Sequence, residues 1–126
     1  MFKQLFNIFF PVIDNFQAIL SRIEIQTETP DRLVLRANSR MIALDKASQT
    51  LSSPGQVLAR FDAIESIDVE HFRSGTKGEW WSISLQLTDR KIEIGKTIDG
   101  TQASILAAHI STITGKQVRS LPSWHK

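Results

Sequence analysis

Three histidines, His71, His109 and His125, and the acidic group Asp62, Glu65, Asp68 and Glu70 are the residues whose types suit acid–base or metal chemistry. Neither set has the spacing that such chemistry requires. No His-Glu-x-x-His occurs and no two histidines stand at helical spacing. Cysteine is absent, which removes disulfides, thiolate metal sites and thiol nucleophiles together. His109 reads as a packing histidine at the edge of a helix's apolar face, and His71, on a strand, as a structural one. The four acids read as a solvated face, because general acid–base catalysis needs two carboxyls within reach of one substrate and nothing in their spacing brings two together. Ser74-Gly75-Thr76-Lys77-Gly78 is too short for a phosphate loop and lies between strands instead of ahead of a helix. These residues point away from an enzyme, a metal centre and a bound cofactor.

Recognition chemistry leaves two candidates. The first is the glycine-containing tip just named, where Arg73 and Lys77 flank the turn and Trp80 falls on the side away from the core. A tryptophan beside two cations suits a bilayer interface or a protein contact. The alternative is a cross-strand tryptophan that covers the sheet. Nucleic acid is not expected as a partner: 15 Lys+Arg against 13 Asp+Glu give a net charge of only +2. Those basic residues are scattered among acids, and the aromatics are mostly Phe near the start of the chain.

The second candidate is residues 1–20, which hold five of the seven phenylalanines and only two charges, Lys3 and Asp14. At about 100° per residue, Phe2, Leu5, Phe6, Ile8, Phe9, Phe10, Val12, Ile13, Phe16, Ile19 and Leu20 fall on one arc of roughly 200°. Lys3, Gln4, Asn7, Pro11, Asp14, Asn15 and Ala18 take the other side, with Gln17 at the edge. The recurring polar positions fit neither a secretory signal nor a membrane span, which needs about 20 predominantly apolar residues. Pro11 bends the helix, or opens a second one at its first turn. The expected contact residues are Phe2, Leu5, Phe6, Phe9, Phe10, Ile13, Phe16 and Leu20. Three surfaces suit them: the protein's own core, a second copy, or a lipid bilayer.

Behind this segment the chain must supply a body, and 126 residues suffice for one domain with a core of its own. From Ser21 the period becomes twofold. Ile23, Ile25 and Thr27 mark a half-buried strand, and Thr29-Pro30-Asp31 a turn. Leu33, Leu35 and Ala37, then residues 41–45, 50–52 and 57–61, continue the pattern. Ile67, Val69 and His71 oppose Asp68, Glu70 and Phe72; Trp81, Ile83, Leu85 and Leu87 alternate with Trp80, Ser82, Ser84 and Gln86; Ile92 and Ile94 close the series. Short strands at this spacing indicate an antiparallel barrel or sandwich. Asp99 and Gln102 form a capping-box pattern ahead of a helix with Ala103, Leu106, Ala107, Ile110 and Ile113 on one face, and Gly115 suits its C-terminal cap. The expected divisions are 1–21, an amphipathic helical segment; 22–118, the barrel with its capping helix; and 119–126, a loose tail.

Several runs resemble bacterial pleckstrin-homology-like domain proteins: Ala43-Leu44-Asp45-Lys46-Ala47-Ser48-Gln49-Thr50-Leu51, Phe61-Asp62-Ala63-Ile64-Glu65-Ser66-Ile67, and Trp81-Ser82-Ile83-Ser84-Leu85-Gln86-Leu87 leading into Arg90-Lys91-Ile92-Glu93-Ile94-Gly95 and an Ala-rich helix. The similarity covers roughly residues 22–118. It implies a mainly β, α+β fold: a barrel of about seven strands with a C-terminal helix over one end. Family members resembling this chain carry hydrophobic membrane segments ahead of the barrel, where residues 1–20 stand. Those that bind phosphoinositides have a basic hairpin between the first two strands, and here Glu28-Thr29-Pro30-Asp31-Arg32 carries more acid than base.

The combined expectation is a non-catalytic binding or scaffolding module, cytoplasmic and peripheral to a membrane through its first helix. A homo-oligomer paired through the Phe-rich face, and a small-ligand carrier or enzyme at the barrel mouth, are the alternatives.

Overall fold

The structure, a computed structural model, describes residues 23–37, 40–74 and 78–125. The expected N-terminal helix and its contact residues Phe2, Leu5, Phe6, Phe9, Phe10, Ile13, Phe16 and Leu20, together with Lys77, lie outside them.

The chain forms nine strands among the described residues, most of them on alternating apolar positions: β1 (Ile23–Thr29), β2 (Arg32–Ala37), β3 (Arg40–Asp45), β4 (Thr50–Ser53), β5 (Gln56–Arg60), β6 (Ile64–Ser74), β7 (Gly78–Leu87), β8 (Lys91–Thr97) and β9 (Val118–His125), with one helix, α1 (Gly100–Thr114), between β8 and β9. β1 to β5 form an antiparallel meander, the first sheet, and the second has the order β8-β7-β6-β9. Leu33, Leu35, Ile42, Leu44 and Leu51 of the first sheet meet Ile67, Ile83, Leu85 and Ile94 of the second. Ala103, Leu106, Ala107 and Ile110 of α1 complete this core, and all of these side chains are buried.

The expected barrel is not closed, because among the described residues no backbone ladder joins the two sheets. β8 packs against β1 and β2 without pairing to a strand of the first sheet, and side chains join it to that sheet. Arg90 Nη2 donates to the Leu58 carbonyl of β5 at 2.6 Å. Arg40 Nη2, at the start of β3, donates to the carbonyls of Glu93 and Ile94. They meet at a bulge in β8, where pairing passes from Ser84↔Glu93 to Ile83↔Gly95 and leaves Ile94 without a register partner on β7. Farther along, a Cβ on Gly95 would stand 2.8 Å from Ile23 Cγ1 and 3.0 Å from Ala37 Cβ, so only a glycine lets the sheets approach there.

Two other expectations change. Of Ile23, Ile25 and Thr27, only Ile23 is buried. β1 is an edge strand, and a bulge at Gln26 shifts its register against β2. Of residues 119–126, expected as a loose tail, 119–125 instead supply most of β9, which pairs in parallel with β6 from Ile67↔Val118 to Arg73↔His125. Since β8 runs parallel to β6 and α1 carries the chain back, the next extended segment lies parallel to β6.

α1 begins and ends as its sequence suggests. Asp99 Oδ1 accepts from the Thr101 and Gln102 amides, at 2.9 and 3.3 Å. Gly115 closes it in the left-handed region at φ 76°, with its N–H on the Ser111 carbonyl. The capping box itself does not close. The Asp99 amide donates to Thr97 Oγ1, while Gln102 accepts from that hydroxyl at 2.6 Å and donates to the Ile23 carbonyl at 2.8 Å. Gln102 thereby ties the helix start to the start of β1.

Candidate functional site

The β6–β7 pair carries Arg73 and Trp80, two of the three tip residues singled out from sequence. Its register, Phe72↔Trp80 and Arg73↔Glu79, sets two aromatic stacks on opposite faces. On the inner face His71 lies on Trp81, ring centres 4.6 Å apart, and Trp81 in turn covers Gly100 at the start of α1. Glu79 bonds His71 Nε2 at 2.7 Å and stands 3.7 Å from Arg73. On the outer face Phe72 stacks on Trp80 at 5.3 Å. Arg73 and Trp80 thus share the end of the hairpin but point to opposite faces, and Trp80 is half-buried.

Beyond that outer stack runs a strip of small polar side chains. Ser66 and Asp68 on β6 and Ser82 and Ser84 on β7 are 6%, 2%, 3% and 1% exposed, although the alternation of both strands directs them away from the core. Asp68 was expected on a solvated acidic face. Instead the Arg119 guanidinium of β9 grips it bidentately, at 2.9 and 2.8 Å, and the Ser66 hydroxyl donates to it at 2.8 Å. The Arg119 bonds, with help from Ser66 and against the effect of burial, hold the Asp68 carboxyl below its usual range. Ser82 donates to Glu93 at 2.8 Å, and Lys91 of β8 reaches over β7 to Glu70 at 3.1 Å. The buried Ser84 hydroxyl has no partner among the described residues.

Two recesses complete the surface. A groove of about 440 Å³ between the β1–β2 hairpin and α1 is lined by Pro30, Leu33 and Ile113, with His109 paired to Glu28 at its rim. A wider cleft of about 740 Å³ lies where β5 and β8 fail to pair, between Arg40, Val57, Leu58 and Ile92.

Chemically, this arrangement clamps charges in pairs. Among the described residues no three His, Asp or Glu side chains gather as a metal would need, and no helix is long and apolar enough to cross a membrane. The serine strip and the Asp68–Arg119 pair escaped the sequence reading, because Arg119 stands 51 residues from Asp68 in a segment with no apolar alternation. The serines on β7 were the available signal: Ser82, Ser84 and Gln86, three uncharged outward positions in a row, suit a covered face as well as a wet one. No protein family, curated protein or solved structure matches the chain.

Proposed function

We propose that the protein is a non-catalytic binding and scaffolding module of pleckstrin-homology-like architecture, held at the periphery of a membrane by its N-terminal segment. The observation that carries this reading is the sequence pattern of residues 1–20, whose five phenylalanines fall within one apolar arc at helical periodicity. Burying one Phe side chain in an apolar phase is worth about 1.5–3 kcal/mol, so a few of them bind lipid without a basic polar face. The engagement of Asp68 supports the non-catalytic part: the most buried carboxylate among the described residues is committed, as an ion pair, to Arg119 and to the Ser66 hydroxyl.

Flotation of the full chain with phosphatidylcholine/phosphatidylglycerol vesicles tests the reading. The intact chain rises with the vesicles, and Phe6→Asp with Phe9→Asp lowers its partitioning by about 100-fold or more, in proportion to two lost phenylalanine burials. An intact chain that stays at the bottom of the gradient, or a double variant that floats equally well, ends it.

A further inference from the structure

At the seam between the two sheets, two bulges are each clasped by an arginine. In β5 the register against β4 passes from Leu51↔Ala59 to Ser52↔Val57, so Leu58 has no partner there, and its carbonyl accepts from Arg90 Nη2 at 2.6 Å. In β8 Ile94 is likewise without a partner on β7, and its carbonyl, with that of Glu93, accepts from Arg40 Nη2. A guanidinium held through one nitrogen is fixed in its plane and still has donors to spare. Arg40 keeps Nε and Nη1 for a second acceptor, and no carboxylate pairs with it among the described residues. Arg90 has only the exposed Asp89 of its own turn, at 3.4 Å.

The cleft of about 740 Å³ lies between these two cations, and Val57, Leu58 and Ile92 supply its apolar wall. Val57 is 63% exposed, an aliphatic side chain left open beside charge. The remaining charges of β8 are engaged elsewhere: Lys91 bonds Glu70, and the Glu93 carboxylate takes the Ser82 hydroxyl. What the cleft offers is therefore positive charge around an aliphatic patch. Its open mouth suits an extended chain better than an acyl tail, since a small ligand needs walls that bury about 70–90% of its surface.

We propose that this cleft binds an extended acidic peptide segment, with aliphatic side chains on Val57, Leu58 and Ile92 and carboxylates on Arg40 and Arg90. Arg90 and Glu93, where the two guanidiniums attach to β8, are three residues apart, or about 10 Å along a strand. Acids at every second residue of an extended chain recur about every 7 Å, so such a chain brings one within reach of each arginine. The site names a partner for the binding role proposed above and rests on that role, but not on contact with lipid.

A fluorescein-labelled nonapeptide of alternating Glu and Val, titrated with the full chain and followed by anisotropy, tests the site. Binding saturates, weakens as salt is raised, and is absent for the matching peptide of Lys and Val. Val57→Glu, at an exposed position, weakens it about tenfold or more while the urea midpoint stays in place. Gln56→Lys adds a cation to the same wall and tightens binding about threefold, a gain that no loss of folding produces. Equal binding of the Lys and Val peptide, or an affinity that neither substitution moves, overturns the site. So does displacement of the peptide by equimolar laurate, which would assign the cleft to an acyl anion, or by an equimolar single-stranded oligonucleotide, which would reduce it to charge attraction. A chain that floats with vesicles but ignores the peptide refutes this site alone, and one that binds the peptide yet stays at the bottom of the gradient refutes the membrane reading alone.

Discussion

Asp68 shows how one side chain links the fold to solution conditions. Its carboxylate is buried, bonded by Arg119 and Ser66, and its folded pKa is lowered from the ordinary 3.8, chiefly by the Arg119 hydrogen bonds. A group with a depressed folded pKa contributes stability that is fully present above its unfolded value and is lost as pH falls through the folded one. The intact protein should therefore lose stability steeply below about pH 4, over the range between those two values. Asp68→Asn removes the proton uptake: its urea midpoint is lower at pH 7, and its further decline between pH 4 and 2 is shallower than that of the intact chain. Parallel acid slopes for the two proteins would show that Asp68 is not the group lost. Asp68 was visible in the sequence as an acid on a strand, but its burial was not, since burial depends on a partner 51 residues away.

At the scale of elements, periodicity reported most of what is there. The alternation of Leu33, Leu35 and Ala37 and of Ile83, Leu85 and Leu87 placed those residues inside, and the helix ends at the Asp99 carboxylate and at the left-handed backbone of Gly115. Each of these signals is local. What the sequence left hidden is how elements meet: the open seam between β5 and β8, and β9, whose Val118, Arg119 and Ser120 are all exposed and so show no buried alternation. Gly95 is where two elements meet most closely. A Cβ there strikes Ile23 near its backbone and the Ala37 methyl group, neither of which is the free end of a long side chain. Gly95→Ala should cost about 1–3 kcal/mol, the usual penalty of overpacking, read as a lowered urea midpoint with an unchanged slope. A neutral or stabilising substitution would mean that the two sheets do not press together at this point.

For the molecule as a whole, the strand edges decide whether the chain stays single. A meander of five strands and a sheet of four leave edges at β1, β5, β8 and β9. Arg40 and Arg90 occupy carbonyls beside the seam, and α1 stands beside β1 through Gln102 and the His109–Glu28 pair. β9 is the covering of β6, the longest strand, and Arg119 fastens it. Removing residues 118–126 strips that cover, lays open a row of backbone donors and acceptors, and deprives the buried Asp68 of its cation. An uncovered edge of this length pairs with another chain. The shortened protein should therefore run as a concentration-dependent oligomer in light scattering, where the intact chain's behaviour is unchanged by concentration, and unfold at lower urea. Arg119→Ala, which keeps the strand and removes only the clamp, should lower the urea midpoint without the association. A shortened chain with the intact chain's mass and midpoint would show that β6 needs no partner on that side, and that the Asp68–Arg119 pair holds the last strand without protecting the sheet.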